Sequence, residues 1–167
     1  MDRYEPLSAA LDECAALMDE QTGLYNRIGF LSLARQMANL ARRRRRDLLV
    51  VRADLDGLQA INDRFGEAQG NLALADAVDI LARTFRKSDV LSRLDGDNFL
   101  MMAIETRKDS GEVITSRLKQ NLERYNASAT RPYRLSLTAA AATFDPETAL
   151  SPEELVDNTE MLLRQAS

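Results

Sequence analysis

The stretch Val90-Leu91-Ser92-Arg93-Leu94-Asp95-Gly96-Asp97-Asn98-Phe99-Leu100-Met101-Met102-Ala103-Ile104 sets two apolar runs on either side of four polar residues. An Asp-Gly step between such runs is a strong hairpin signal, because Gly and Asp accept the backbone angles of a tight turn. Two antiparallel strands, Val90 to Leu94 and Phe99 to Ile104, are therefore expected. Upstream, Leu48-Leu49-Val50-Val51 reads as a short buried strand running into Asp54-Leu55-Asp56, and downstream Tyr133 to Phe144 reads as a strand or a bent strand pair. Gly66 and Gly70 punctuate an expected loop before a helix from Leu72 to Phe85 that turns Leu74, Val78, Leu81 and Phe85 inward. A further helix is expected over Val113 to Tyr125.

Toward the N-terminus, Pro6 opens an amphipathic helix with Leu7, Leu11, Ala15 and Met18 on one face. A loop follows, and Asn26 is placed to cap a second helix carrying Phe30, Leu33, Met37 and Leu40 and ending in Arg42 to Arg46, where positive charge suits the helix dipole. At the other end Ser151, with Glu154 three residues on, starts a last helix with a capping box. The order α-α-β-α-α-β-β-α-β-α contains a βαββαβ core, an α+β arrangement with helices against an antiparallel sheet. The chain shows no internal repeat and no low-complexity linker.

Composition narrows the chemistry. The 167 residues carry 22 basic and 26 acidic side chains, a net charge of −4, no His, no Trp and one Cys, Cys14. Without His there is no Ser-His or Cys-His pair and no imidazole ligand; with one Cys there is no intrachain disulfide and no thiolate zinc site. A bound metal must sit on carboxylate and carbonyl oxygens, which favours Mg²⁺ or Ca²⁺. The negative balance gives no general attraction for nucleic acid. No stretch approaches the ~20 apolar residues of a membrane span, and a cytoplasmic setting is expected. The bases are 19 Arg against 3 Lys, and Arg is suited to planar recognition of phosphate and guanine edges, although base composition of the gene produces the same excess.

Three segments together resemble the GGDEF, or diguanylate cyclase, family. Asp19-Glu20-Gln21-Thr22-Gly23-Leu24-Tyr25-Asn26-Arg27 is similar to its D-x-L-T-G-L-x-N-R entry segment. Asp54-Leu55-Asp56 followed by Ile61-Asn62-Asp63-Arg64-Phe65-Gly66 resembles its D-x-D…I-N-D-x-x-G, and Arg93 to Phe99 stands where its R-x-G-G-D/E-E-F belongs. The resemblance implies a palm-like sheet surrounded by helices, with residues 1–18 as an N-terminal linker helix and 19–167 as the GGDEF domain. It also implies the family's chemistry: two domains, each holding GTP with Mg²⁺, meet and form cyclic di-GMP.

Carried over residue by residue, the resemblance assigns Asp54, the carbonyl of Leu55 and Asp97 to metal, Asp97 to catalysis, and Asn62 to guanine. Several positions depart from the pattern. Asp95 replaces the first hairpin Gly before Gly96, bringing a side chain and a charge toward the triphosphate. Asn98 replaces the hairpin Glu and cannot neutralise Mg²⁺. Asn71 replaces an Asp that reads guanine, offering one acceptor where a carboxylate offers two. Gln59 replaces a phosphate-binding Lys, and Arg164, in Val156 to Arg164, stands near the place of another. Asp56 and Asp63 also match, but Asp after a strand commonly serves turns and caps. Each lost charged contact costs on the order of 1.5–3 kcal/mol, so an impaired cyclase is expected.

Arg86-Lys87-Ser88-Asp89 is an R-x-x-D one strand before the hairpin, the spacing at which active family members bind their product in an inhibitory site. The motif is short, and Arg44-Arg45-Arg46-Asp47 repeats it at a spacing that does not fit. Arg117 resembles a further Arg of that site. Arg forks onto guanine O6 and N7 or phosphate, and Asp accepts from guanine N1–H and N2–H₂. The expected function is a degenerate GGDEF domain that binds cyclic di-GMP through Arg86, Asp89 and Arg117. The alternatives are an active cyclase and an interaction domain that needs no nucleotide, working as a homodimer or with a partner domain.

Overall fold

The apolar run at Leu48–Val51 is the middle of a longer strand around which the other elements are arranged. The structure, a computed structural model, describes residues 12–105, 110–148 and 150–167. Strand β1 (Asp47–Leu55) is buried over nearly its whole length and pairs antiparallel with β3 (Asn98–Glu105) on one side and β4 (Leu137–Phe144) on the other. β2 (Val90–Asp95) pairs antiparallel with β3, giving the order β2-β3-β1-β4. The expected α+β fold, a palm-like antiparallel sheet surrounded by helices, is the one observed.

Strand alternation divides β1 between two cores. Leu49, Val51, Ala53 and Leu55 pack with α2 (Leu58–Phe65), α3 (Glu67–Thr84) and α4 (Ser110–Ser128). Leu48 and Val50 pack on the opposite face with Phe30 and Ala34 of α1 (Arg27–Arg44) and Leu155 and Val156 of α5 (Pro152–Ala166). Fully burying each large apolar side chain contributes about 1.5–3 kcal/mol. The two helices that cross over between strands of the βαββαβ core, α3 and α4, lie on one face, and α1 and α5 close the other.

Both expected caps form. Asn26 Oδ1 accepts from the Gly29 amide at 2.9 Å, and Ser151 Oγ accepts from the Glu154 amide while Glu154 returns the bond to the Ser151 amide at 2.7 Å. Four expectations are corrected. Of the apolar residues read on α1, Phe30 is buried beside Ala34 and Ala41 and Leu33 and Met37 pack partly buried against the same core, but Leu40 is exposed. Gly70 is not in a loop but in the first turns of α3, which begins at Glu67; Gly66, at φ +91°, alone separates α2 from α3. Tyr133 to Ser136 are not strand: the Asn126 side chain takes both the amide and the carbonyl of Leu135, leaving no ladder there. Finally, of the helix read over Leu7 to Met18, Leu7 and Leu11 lie outside the described residues; Asp12 to Ala15 are helical, but Met18 is extended and bridges Tyr25. Tyr25 in turn bridges Ser92, so this segment covers the β2 edge of the sheet.

Candidate functional site

The hairpin folds its loop back onto the end of β1. Asp54 lies directly across the ladder from Asn98, and the next amide, Leu55 N–H, donates to the Asp97 carbonyl at 2.9 Å. Asp54 and Asp97 are thereby carried at one end of the sheet. Gly96 sits at φ +32° between them and Asp95, whose side chain is exposed. Asp54 Oδ1 is buried with no hydrogen-bond partner. Burial, and then the charge of Asp97, push the Asp54 carboxyl up to about 6; Asp56 and Asp95 add to this and Arg52 opposes it.

Two arginines organise this end: Arg93, the first residue of the hairpin segment, and Arg52, which the sequence reading did not single out. Arg52, two residues before Asp54 and so on the same face of β1, is 4% exposed. Its Nε donates to Asn98 Oδ1 at 3.0 Å and its Nη1 to the Val156 carbonyl at 3.2 Å, with Glu160 at 4.0 Å. Arg164 reaches the same group indirectly, pairing with Glu160 at 2.7 Å along α5. Arg93, 9% exposed, donates to the Gly96 carbonyl at 2.8 Å, to Asp19 at 3.2 Å and to Gln21 Oε1 at 2.7 Å. Burial works against ionisation of Asp19, but hydrogen bonds from the Thr22 hydroxyl and amide and from Arg93 outweigh it and hold the carboxyl below its usual range. The signal for Arg52 was present in the sequence: a guanidinium inside an otherwise apolar strand must find partners.

A second corner lies at the start of α3. The Asn62 amide rests on Gly70, where any Cβ would overlap it, and its Oδ1 is buried without a partner. Asn71, the residue after Gly70, accepts through Oδ1 from Gln21 Nε2 at 2.7 Å, which links this corner to Arg93 and the hairpin. Gln59 is exposed and donates to Asp63 one helical turn away at 2.8 Å. Asp56 is bound by Ser136 Oγ at 2.7 Å and Thr138 Oγ1 at 3.0 Å, a structural tie between β1 and β4.

Arg86 and Asp89 stand apart from all of this, on the turn between α3 and β2. Asp89 Oδ2 accepts from the Arg86 amide at 2.7 Å and the Asp89 amide donates to the Arg86 carbonyl at 3.0 Å, which closes the turn and leaves the Arg86 side chain exposed. Arg117, exposed on α4, donates to the Thr84 carbonyl at 3.3 Å, so it reaches the end of α3 beside the same turn.

A family description of the diguanylate cyclase GGDEF domain matches residues 16–167. The chain belongs to the GGDEF family. It is 29% identical over 151 residues to the cyclic di-GMP phosphodiesterase NbdA of Pseudomonas aeruginosa, covering 90% of this chain and 19% of NbdA. It is 28% identical to the solved GGDEF domain of TpbB, or YfiN, from the same species, with a TM-score of 0.78 over 89% of this chain and 87% of that one. A microbial GGDEF domain solved to describe its interaction with cyclic di-GMP is 26% identical, with a TM-score of 0.74 over 91% of this chain and 90% of that one. This GGDEF domain thus spans a minor part of a curated relative such as NbdA, and nearly all of the isolated domains.

The family implies Mg²⁺. Among the described residues no group of three or more His, Cys, Asp and Glu is arranged as a metal cluster. The buried, unpartnered Oδ1 of Asp54 close to the Asp97 charge does fit one hard cation whose remaining ligands are waters and phosphate oxygens. Asn98 does not add to that set, since its oxygen faces Arg52. Among the described residues no helix is long and apolar enough to cross a membrane.

Proposed function

We propose that this GGDEF domain is a cyclic di-GMP-binding module of bacterial signalling, acting in the cytoplasm, whose cyclase chemistry is impaired. The observation that carries the reading is the commitment of Asn98: its one acceptor oxygen is bonded to the buried Arg52 at 3.0 Å, at the position where the resemblance has the charged hairpin Glu. The hairpin there offers a neutral amide whose oxygen is already occupied. Asp95 adds a negative side chain at the tip, and Gln59 turns along its own helix to Asp63 instead of supplying a cation. By contrast, the turn at Arg86 and Asp89 keeps its shape through bonds from the Asp89 carboxylate and amide to the Arg86 main chain and leaves the Arg86 side chain exposed, with Arg117 beside it. Arg86 forking onto guanine or phosphate, with Asp89 accepting from guanine N–H groups, is sound chemistry for the dinucleotide. Residues 1–18 serve in this reading as a linker from an upstream sensor, and the output passes to a second copy or to a partner domain.

Calorimetric titration with cyclic di-GMP tests this. Micromolar or tighter binding is expected, weakened about tenfold or more by Arg86→Ala, the loss of one charge-assisted contact. No heat from the unaltered chain at high concentration would defeat the reading.

A second reading, an active cyclase converting two GTP to cyclic di-GMP, is favoured by one observation: Asp54 and Asp97 share the end of one ladder, and Asp54 keeps an oxygen without a partner. Mg²⁺ bound there would supply charge stabilisation at phosphate oxygens. Incubation with GTP and Mg²⁺, with nucleotides separated by chromatography, decides it: no product is expected, and steady conversion abolished by Asp97→Ala would reverse the preference.

A further inference from the structure

A groove of about 420 Å³ lies between α3 and α4. Asp79, Ile80 and Arg83 line it from α3, and Asn121, Arg124, Tyr125 and Ser128 from α4, each set at the spacing of one helix face. Ile80 is buried and Tyr125 half-buried, while Asp79, Arg83 and Arg124 are exposed at its walls. One turn toward the start of α3 the chain fills the same gap with its own groups. There Asp76 accepts from the Tyr125 hydroxyl and from Arg131 at 2.8 and 3.2 Å. The side chains of Asp79, Arg83 and Arg124 have no such counterpart among the described residues. Asn121, between them, has a fixed orientation. The Thr84 hydroxyl donates to the Ile80 carbonyl at 2.7 Å, so toward Asn121, 3.0 Å away, its oxygen only accepts. Asn121 therefore presents its NH₂ to Thr84, which leaves Oδ1 as the end without a partner.

We propose that this groove binds a small phosphate monoester bearing hydroxyl groups, with Arg83 and Arg124 on the phosphate and Asp79 and Asn121 on the hydroxyls. Two guanidiniums lining one groove without an acceptor repel each other. A dianionic phosphate removes that repulsion and accepts forked bonds from both. A bare anion leaves the rest of the wall unused, because the Asp79 carboxylate and the Asn121 oxygen are acceptors and require a donor beside the phosphate. A hydroxyl donates to either, whereas an ammonium group would face the two guanidiniums. The volume is that of an ordinary small-molecule site. None of the lining residues belongs to the hairpin end or to the Arg86 turn, and the proposal stands whether or not cyclic di-GMP binds at Arg86.

Magnetic resonance titration of the isotope-labelled full chain with glycerol phosphate and with inorganic phosphate provides the test, read at the Asn121 side-chain NH₂ and the Arg83 and Arg124 Nε–H groups. Saturable shifts are expected, with glycerol phosphate bound about tenfold more tightly than inorganic phosphate, the worth of one added hydrogen bond to a charged group. Arg83→Gln or Arg124→Gln should weaken both ligands about tenfold. Asp79→Ala should weaken glycerol phosphate alone and bring the two affinities within about threefold. All three positions are exposed, so the variants are expected to fold, and a thermal melt of each checks this. No saturable shift with either ligand, equal affinities for the two in the unaltered chain, or affinities that neither arginine variant moves would overturn the proposal. Binding lost in Arg86→Ala but kept in Arg83→Gln would overturn it too, by placing the phosphate at the turn instead.

Discussion

The hairpin end and the Arg86 turn use the same side chain in opposite ways. At the hairpin, Arg52 and Arg93 are 4% and 9% exposed and their donors are directed at carbonyls, amides and carboxylates of the chain itself. At the turn, Arg86 and Arg117 are exposed and the local shape comes from Asp89 binding the main chain. A buried guanidinium is part of the fold, and what it does for a ligand it does by orienting another group. An exposed one on a rigid turn is available for contact. The difference teaches that alterations at the two places have separate consequences: stability and site geometry move together at the hairpin, while at the turn ligand contact changes alone.

The largest expected effect is the sharpest way to break that comparison. Arg52→Ala leaves Asn98 Oδ1 and the Val156 carbonyl without their donor in the interior and should cost about 3 kcal/mol, lowering the melting temperature by about 6–12 °C. Arg86→Ala should change stability by less than about 0.5 kcal/mol. Equal losses in thermal melts would remove the distinction between the two regions. Gly70→Ala sharpens it at the second corner. An exposed helical Gly→Ala change stabilises by about 1 kcal/mol, whereas overlap with the Asn62 amide costs about 1–3 kcal/mol. A net loss near 1 kcal/mol is expected in the denaturant midpoint; a gain would show that Asn62 is not fixed against α3.

A smaller effect than either Arg52→Ala or Gly70→Ala concerns pH. Because burial and Asp97 raise the Asp54 carboxyl to about 6 from 3.8, the native chain holds the proton more firmly than the unfolded chain. Its contribution to stability is therefore greatest at low pH and declines as pH rises from about 4 through about 6. Asp54→Asn should remove that decline and raise the melting temperature at pH 7.5 by about 2 °C, somewhat under 1 kcal/mol after solvent screening, with little change at pH 4. Arg86→Ala should leave the pH profile of the melting temperature as it is.

Much of the fold was legible because local chemistry and tertiary packing agree. The Asp-Gly hairpin, the Asn26 cap and the Ser151–Glu154 box each announce an element boundary within a few residues. Gly70 misled because an isolated Gly reads as a breaker, whereas here its missing Cβ is used by Asn62 from another helix. Leu40 misled because it is apolar and at helical spacing from Met37, yet it lies exposed while Ala41 beside it is buried. For the candidate site, the resemblance supplied Asp54, Asp97, Asn62 and Asn71. The pairings that orient the amides were not legible, since Arg52 meets Asn98 across 46 residues and Gln21 meets Asn71 across 50. Such pairings exist only after the sheet and helices have come together.

The bond from the Leu55 amide to the Asp97 carbonyl has a consequence for motion. Leu55 is fully buried, and its N–H extends the central ladder by one rung into the hairpin loop. That amide exchanges with solvent hydrogen only when this end of the sheet opens, so it should be protected well above the amides of the surrounding turns. A hairpin tied in this way does not swing as a flap over an arriving ligand. The carboxylates wait in fixed register, and any movement on binding must come from the helices and turns around them.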